Sequence, residues 1–531
     1  MMIDDKLKQQ MLNQLTELKK ANFANAQEIL EYAKLLRDRT FKEVVELGFH
    51  TLLPEATYND ANRKGGMGNL LEEHYFGYTA NSLAEPDFKE AGVELKVSPI
   101  EPYTPQRGEK KGIKTLKAGE RLVLSMIPNN KEIAEEYEDS TLAAKSQNIL
   151  LVNYERDRSL PSKDLQKIKM VNLFAPSPED LKIIADDYRI ISSYIREGRA
   201  HELSEGLTKY LGACTKGATA KRSLRSQFYP FTHKDGTEEF IPAKSRAFSF
   251  KQSYMTAVVQ KFKEEQDAAD KLIESPSDLD HSSLEEIALS KVNKFVGWEA
   301  QQICDEIAPD VELLTEKNGI NKSGYRSLAM RILGSKTGKI EEFEKAGIAV
   351  RVVRLNRASR PAEDIKLGTI SFSQFADGME WEDTDWYEML TTPKYMFIVF
   401  QESEQGVYVL RGGMFWNVPM SDVGGEAFSE NQTLTAYGYW KDAARKANEG
   451  VVFTPQKSSW ANNFLNASEH PVCHLRPSAN KAAYRFADGK EVGNVERDAE
   501  RLPDGQYMTR QALWLNKDYI KCVISSSGLL R

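Results

Sequence analysis

Cysteine is scarce in this chain. Four occur in 531 residues, Cys214, Cys304, Cys473 and Cys522, and none belongs to a Cys-x-x-Cys pair. That spacing argues against a zinc site or a disulfide framework. Long apolar runs are missing too: the longest, such as Tyr395 to Phe400, are strand-sized and far short of a membrane span. Residues 1–20 are polar and charged, without an apolar signal-peptide core. These absences point to a reduced, cytoplasmic protein with no membrane partner. An excess of basic residues is also lacking, for the net charge is −7, which at first speaks against a nucleic-acid partner.

What is present has the mix of a soluble globular protein, 41% hydrophobic and 28% charged. The length suggests two to four domains. Charge is unevenly spread. Residues 264–286 hold nine acids against one base, Lys271, and include Ser275, Pro276, Ser277, Ser282 and Ser283. Low hydrophobicity with like charge, serine and proline is a linker signature, which places a boundary near 264–282. Residues 209–251 hold nine Lys or Arg against three acids. Such a stretch can bind phosphates whatever the total charge, and equally suits a solvated face.

The chain repeats itself. Around residue 64 it reads RKGGMGNLL, and around 322 NKSGYRSLA, so a shift of 258 lays Lys64 on Lys322, Gly66 on Gly324 and Leu70 on Leu328. DFKEAGVELKV (87–97) is echoed by EFEKAGIAVRV (342–352) at a shift of 255. Two matches in the same order imply two copies of one fold. Leu181, Ile184, Tyr188, Ile191 and Ile195 predict a helix over 178–197, capped by Ser177 and stopped at Gly198. Residues 93–97 alternate, predicting a strand with Glu94 and Lys96 on one face and Val93, Leu95 and Val97 on the other. Ala91-Gly92 suits a turn before it. The expected class is α/β, mixed α+β, with small mixed sheets flanked by helices.

Phosphodiester hydrolysis needs a divalent metal, an activated water and fixed geometry. Asp87, Glu94 and Lys96 can supply these. Carboxylates are the usual magnesium ligands, and Asp87 can return across the turn to the face shared by Glu94 and Lys96. The same pattern also fits an exposed hairpin with an ordinary Glu/Lys face.

The run Lys64-Gly65-Gly66-Met67-Gly68-Asn69-Leu70-Leu71-Glu72, followed by Asp87, Glu94 and Lys96, resembles the MutH-like endonuclease pattern K-G-x-x-G-x-L-L-E…D-x6-E-x-K. The helix at 178–197, Lys209-Tyr210-Leu211 and the segment 248–256 follow in the family's order. The chain is most similar to the family's type II restriction endonucleases, in which two such folds share one chain and the second is inactive. The resemblance implies a double-stranded DNA substrate cut at GATC. Asp87, Glu94 and Lys96 would be catalytic, with Asp87 and Glu94 holding Mg2+ (or Mn2+ in its place) and Glu72 an auxiliary carboxylate. Lys64 would lie on a glycine loop close to DNA, a loop that also serves as a tight turn. It implies tandem restriction-endonuclease-like domains over 1–265 and 283–531, joined by the acidic segment 266–282.

In the second copy Glu342 falls on Asp87, Ala349 on Glu94, Arg351 on Lys96 and Met330 on Glu72. Alanine cannot ligate a metal and arginine cannot act as a base, so this copy should bind DNA without cutting it. His474 to Lys481 resembles the family's base-reading loop, making Arg476 a candidate for bidentate contact with guanine. A surface salt bridge is the alternative for Arg476. Lys481 and Lys322 are further DNA contacts there. The first copy has Cys214-Thr215-Lys216 at the equivalent place, leaving Lys216, Lys221, Arg222 and Ser249 as candidates, with Arg225 touching phosphate. Self-association on DNA, bridging two sites, is expected. A mismatch-repair nickase and a non-cleaving DNA-binding regulator are the competing readings. Duplication argues against the first, and the intact carboxylate set against the second.

Overall fold

The computed structural model describes residues 5–47, 66–78, 85–104, 112–216, 223–264, 268–315, 319–425, 432–456 and 460–530. Lys64, Lys221 and Arg222 lie outside the described residues. The class is mixed α/β, with several small sheets.

Twelve strands carry the argument. In the first half they are β1 (Glu94–Tyr103), β2 (Leu122–Met126), β3 (Ile149–Glu155), β4 (Lys167–Phe174), β5 (Leu211–Thr215) and β6 (Arg246–Phe250). In the second they are β7 (Ile348–Leu355), β8 (Ile365–Thr369), β9 (Lys394–Glu402), β10 (Tyr408–Trp416), β11 (Cys473–Pro477) and β12 (Gln511–Leu515). β1 pairs parallel with β3, and β3 antiparallel with β4. β7 pairs parallel with β9, and β9 antiparallel with β10. A second sheet orders β2-β6-β5 in one half and β8-β12-β11 in the other, antiparallel throughout. The connectivity therefore repeats, although few identical residues do.

The central strands explain the apolar runs. Ile149 to Val152 in β3 and Lys394 to Phe400 in β9 are buried at every position, as expected where both faces of a parallel pair are covered. The Tyr395–Phe400 run is thus a core strand. The predicted helix forms over Pro178–Arg196. Ser177 accepts the Asp180 amide, and Gly198 turns the chain at φ +71°. A Cβ on Gly198 would stand 2.3 Å from the backbone of Pro230 and Phe231, so this stop signal also permits close packing.

Among the described residues three large apolar cores form, and they do not follow the repeat. The first lies in the N-terminal lobe (Met11, Leu71, Leu95, Val171) and the third in the C-terminal lobe (Val353, Trp386, Leu513, Ile524). The middle core mixes both halves, with Ile184, Phe248 and Met255 from one and Leu328, Phe343 and Ile398 from the other.

Where it is described, the acidic segment is packed against folded elements. Leu272 and Ile273 are buried in the middle core, and their amides donate to the Glu342 carboxylate at 2.9 and 3.0 Å. Asp280 pairs with Lys182, and Asp270 accepts the amides of Lys336 and Thr337 at 2.7 and 2.8 Å. Asp270 and Asp280 are anchors, each with a partner on a folded element. Among the described residues, no helix is long and apolar enough to cross a membrane.

Candidate active site

β1 presents its alternating faces as the sequence implies, but with more burial. Val93 and Leu95 enter the N-terminal core. On the opposite face Lys96 Nζ lies 2.5 Å from Glu94 Oε1. That face is covered, not open: Glu94 is 2% exposed and Lys96 20%. Two elements cover it. The helix Thr141–Ser146, N-capped by Ser140, brings Lys145 to 3.5 Å from the same Glu94 oxygen. The turn Leu71–Phe76 winds as a π-helix and carries Glu72. Such turns often mark functional sites, because the extra residue re-aims a side chain.

Asp87 returns to β1 as the spacing requires. A single turn, Lys89–Ala91, closes on Gly92 at φ +63°, and Phe88 bridges to Val93. The Asp87 carboxylate then accepts the Leu95 amide at 2.9 Å.

The carboxylates repel one another. Burial, then Asp87, pushes the Glu72 carboxyl up to about 7; Lys96 opposes this and Glu94 adds to it. Burial and then Glu94 raise Asp87, against the Leu95 amide and the Lys96 and Lys145 ammoniums. Tyr78 is raised by burial and by the same three carboxylates. Two polar atoms here, Glu94 Oε2 and the Tyr78 hydroxyl, are buried with no hydrogen-bond partner among the described residues. A buried carboxylate oxygen left in this state is costly unless something cationic meets it.

That orphaned oxygen is the test of fit for a divalent metal, and the donor set passes it. Among the described residues, no three His, Cys, Asp or Glu side chains close on one point as a ready-made metal cage. The acids are near enough to raise one another without meeting. A divalent metal can be held by one or two carboxylates with water and substrate phosphate completing its shell, and Asp87 and Glu94 offer that number.

The family model for the DNA mismatch repair enzyme MutH matches residues 76–187, the stretch that holds Asp87, Glu94, Lys96 and Lys145. The chain is also 34% identical over 486 residues to the type II restriction enzyme Sau3AI of Staphylococcus aureus, covering 86% of this chain and 92% of that protein. The chain belongs to the Sau3AI family of MutH-like endonucleases. The DNA mismatch repair protein MutH of Pasteurella multocida is 25% identical over 236 residues, 95% of its own length but 44% of this chain. That of Shewanella woodyi is 28% identical over 163 residues, 64% of its length and 31% of this chain. As a member of the Sau3AI family the protein is a site-specific deoxyribonuclease of double-stranded DNA, and its cofactor class is a divalent metal.

The structure separates the remaining candidates. In the second half Arg476 lies 3.1 Å from Asp364, with its guanidinium 4.6 Å over the Trp514 ring. The salt bridge is thus present, on an exposed side chain still held in one orientation. Lys322 is exposed and paired with Glu363 at 2.8 Å. Lys481 is exposed beyond β11. In the first half Cys214 pairs with Ala247 on β6, as Arg476 pairs with Ala512 on β12. Cys214 and Thr215 line a cavity of about 250 Å³ whose far wall, Glu382 to Thr392, belongs to the second half. Lys216 follows, half-buried, its amide bonded to Ser245 O. Ser249 is a correction. It sits on the central strand β6 at 0% exposure, its hydroxyl 3.5 Å from Gly212 O, and offers nothing to DNA from there. Lys145 is the residue that sequence reasoning missed.

Proposed function

We propose that the chain hydrolyses double-stranded DNA at GATC with Mg2+, residues 1–265 cutting and residues 283–531 holding DNA without cutting it. The observation that carries this reading is the contrast at one strand position. Glu94 has a buried, unpartnered oxygen beside Asp87 and Lys96, while Ala349 and Arg351 stand at the matching register of β7.

Asp87 and Glu94 would hold the metal, with Glu72 as an auxiliary carboxylate. When bound, the metal supplies charge neutralisation at the phosphate and a more acidic water; Mn2+ substitutes for it. Lys96 holds Glu94 in place and orients the attacking water or, only once it has given up its own proton, helps deprotonate it. Lys145 reaches the same Glu94 oxygen at 3.5 Å and helps hold the carboxylate in place. With one cutting site per chain, breaking both strands takes either two chains acting together on DNA or one chain cutting twice with rebinding, and the first is the expected route.

The test is cleavage of supercoiled plasmids with and without GATC, in Mg2+, Mn2+ and excess chelator. Cutting confined to GATC plasmids and lost in chelator is expected. Full activity in chelator, or cutting indifferent to GATC, would overturn it.

A further inference from the structure

The second half has lost the carboxylate of the first at Ala349 and kept a cation on the same strand, Arg351. On β7, Ala349 pairs with Tyr395 and Arg351 with Phe397, as Glu94 pairs with Ile149 and Lys96 with Leu151 on β1. Arg351 and Val353 line a cavity of about 470 Å³ that reaches Pro361–Leu367 and Trp514. Lys322, Arg354 and Lys366 also line it, and Arg476 stands at its rim over Trp514. Its two carboxylates are already engaged. Glu363 lies 2.8 Å from Lys322 and 2.9 Å from Arg354; Asp364 meets Arg476 and accepts the Lys517 amide at 2.8 Å.

The acids of the first half have been removed or turned away. Ala349 and Met330 supply no carboxylate, and Glu342 is spent on the amides of Leu272 and Ile273. In the first half, gathered carboxylates repel a phosphate until a divalent cation arrives. In the second half the position of Lys96 keeps its cation as the Arg351 guanidinium, now without a carboxylate two residues before it and within a surround of net positive charge.

We propose that Arg351 anchors a DNA backbone phosphate in this cleft, doing without metal what the first half does with it. A guanidinium suits the task because its fork can bond two phosphate oxygens at once and it never loses its charge. The proposal rests on the reading of the second half as a DNA-holding unit, and adds that its grip is independent of metal and centred on Arg351.

The test is fluorescence anisotropy of a labelled GATC duplex with the full chain, in EDTA and in Ca2+, over a range of salt. Wild type should bind in EDTA. Arg351→Ala and Arg351→Gln should each weaken that binding about tenfold, and flatten the log–log salt slope by about one phosphate contact. Arg351→Lys should keep the slope and lose only part of the affinity, since the point charge survives and the fork does not. Thermal melting of each variant checks its fold, and Gln preserves the packing that Ala removes. If wild type binds in Ca2+ but not in EDTA, the reading of the second half itself fails. If wild type binds in EDTA and both neutral variants match it in affinity and slope, that reading stands and Arg351 is not the anchor.

Discussion

Lys145 and Glu94, 51 residues apart in the chain, meet at 3.5 Å on the oxygen that Lys96 already holds. Glu94 is therefore gripped by two ammoniums through one oxygen while the other stays unpartnered. The carboxylate is oriented before any ligand arrives, and preorganisation of this kind is where much of an enzyme's electrostatic advantage originates.

Lys145→Ala should slow cleavage by about tenfold, a loss of roughly 1.4 kcal/mol in transition-state stabilisation. It should also move the acid limb of the pH–rate profile to higher pH, because Lys145 is one of the charges holding Asp87 down. Lys145→Arg should recover most of both. An unchanged pH profile in the alanine variant would reduce Lys145 to a packing role.

Asp87→Ala, Glu94→Ala and Lys96→Ala should each lose cleavage by about a hundredfold or more, the several kcal/mol that charge stabilisation at phosphate supplies. Specific binding in Ca2+ should persist. Any of the three cutting near the wild-type rate in a single-turnover assay has been misassigned. Ala349→Glu or Arg351→Lys made singly should not revive the second half, since Met330 and the committed Glu342 remain.

Glu72 makes a prediction about stability. Its folded value, about 7, lies above the ordinary carboxylate value, so the folded chain holds the proton more tightly than the unfolded one. The favourable contribution is complete below about pH 4 and is lost as pH climbs through 7. Glu72→Gln removes the cost of ionising this group. In chelator the variant should therefore melt above wild type at pH 8 and level with it near pH 4.5. An equal gap at both pH values would count against a titrating Glu72.

Arg476→Ala should cost about 1–3 kcal/mol of binding at the cognate site, the range for one bidentate base contact, and much less on random DNA. To reach a base the guanidinium must give up its pairing with Asp364 and its place over the Trp514 ring. A uniform loss on all sequences would make it a phosphate contact.

One live site per chain should show in kinetics. Plasmids with two target sites should be cut faster than plasmids with one, and the rate should rise more steeply than first order in enzyme. Equal rates on both plasmids would mean that a single chain breaks both strands by rebinding.

Local features of the site were legible because they depend on local periodicity. Two-residue spacing put Glu94 and Lys96 on one face, and Ala91-Gly92 returned Asp87 to them. Ser177 and Gly198 fixed the ends of the long helix. What comes from elsewhere in the fold was not legible. Lys145 sits on a six-residue helix whose approach to β1 no spacing encodes. The burial of Ser249 follows from β6 being the middle strand of its sheet, which its own sequence does not state. Leu272 and Ile273 are two apolar residues among acids, and their partner Glu342 lies about 70 residues on. Composition therefore reads as solvent where the chain is in fact docked.

The middle core has a consequence for how this protein can be rearranged. Its apolar surface is contributed jointly by Ile184 and Met255 on one side and by Phe343 and Ile398 on the other, and Lys394 crosses the seam to Leu207 O at 2.8 Å. A graft of one half from a relative inherits that seam whole. The partners must match across residues that bear no catalytic or DNA-reading role, and a swap designed on the active site alone will mispack there. The natural place to exchange parts is therefore the outer lobe at either end, each with a core of its own, rather than the visible midpoint of the repeat.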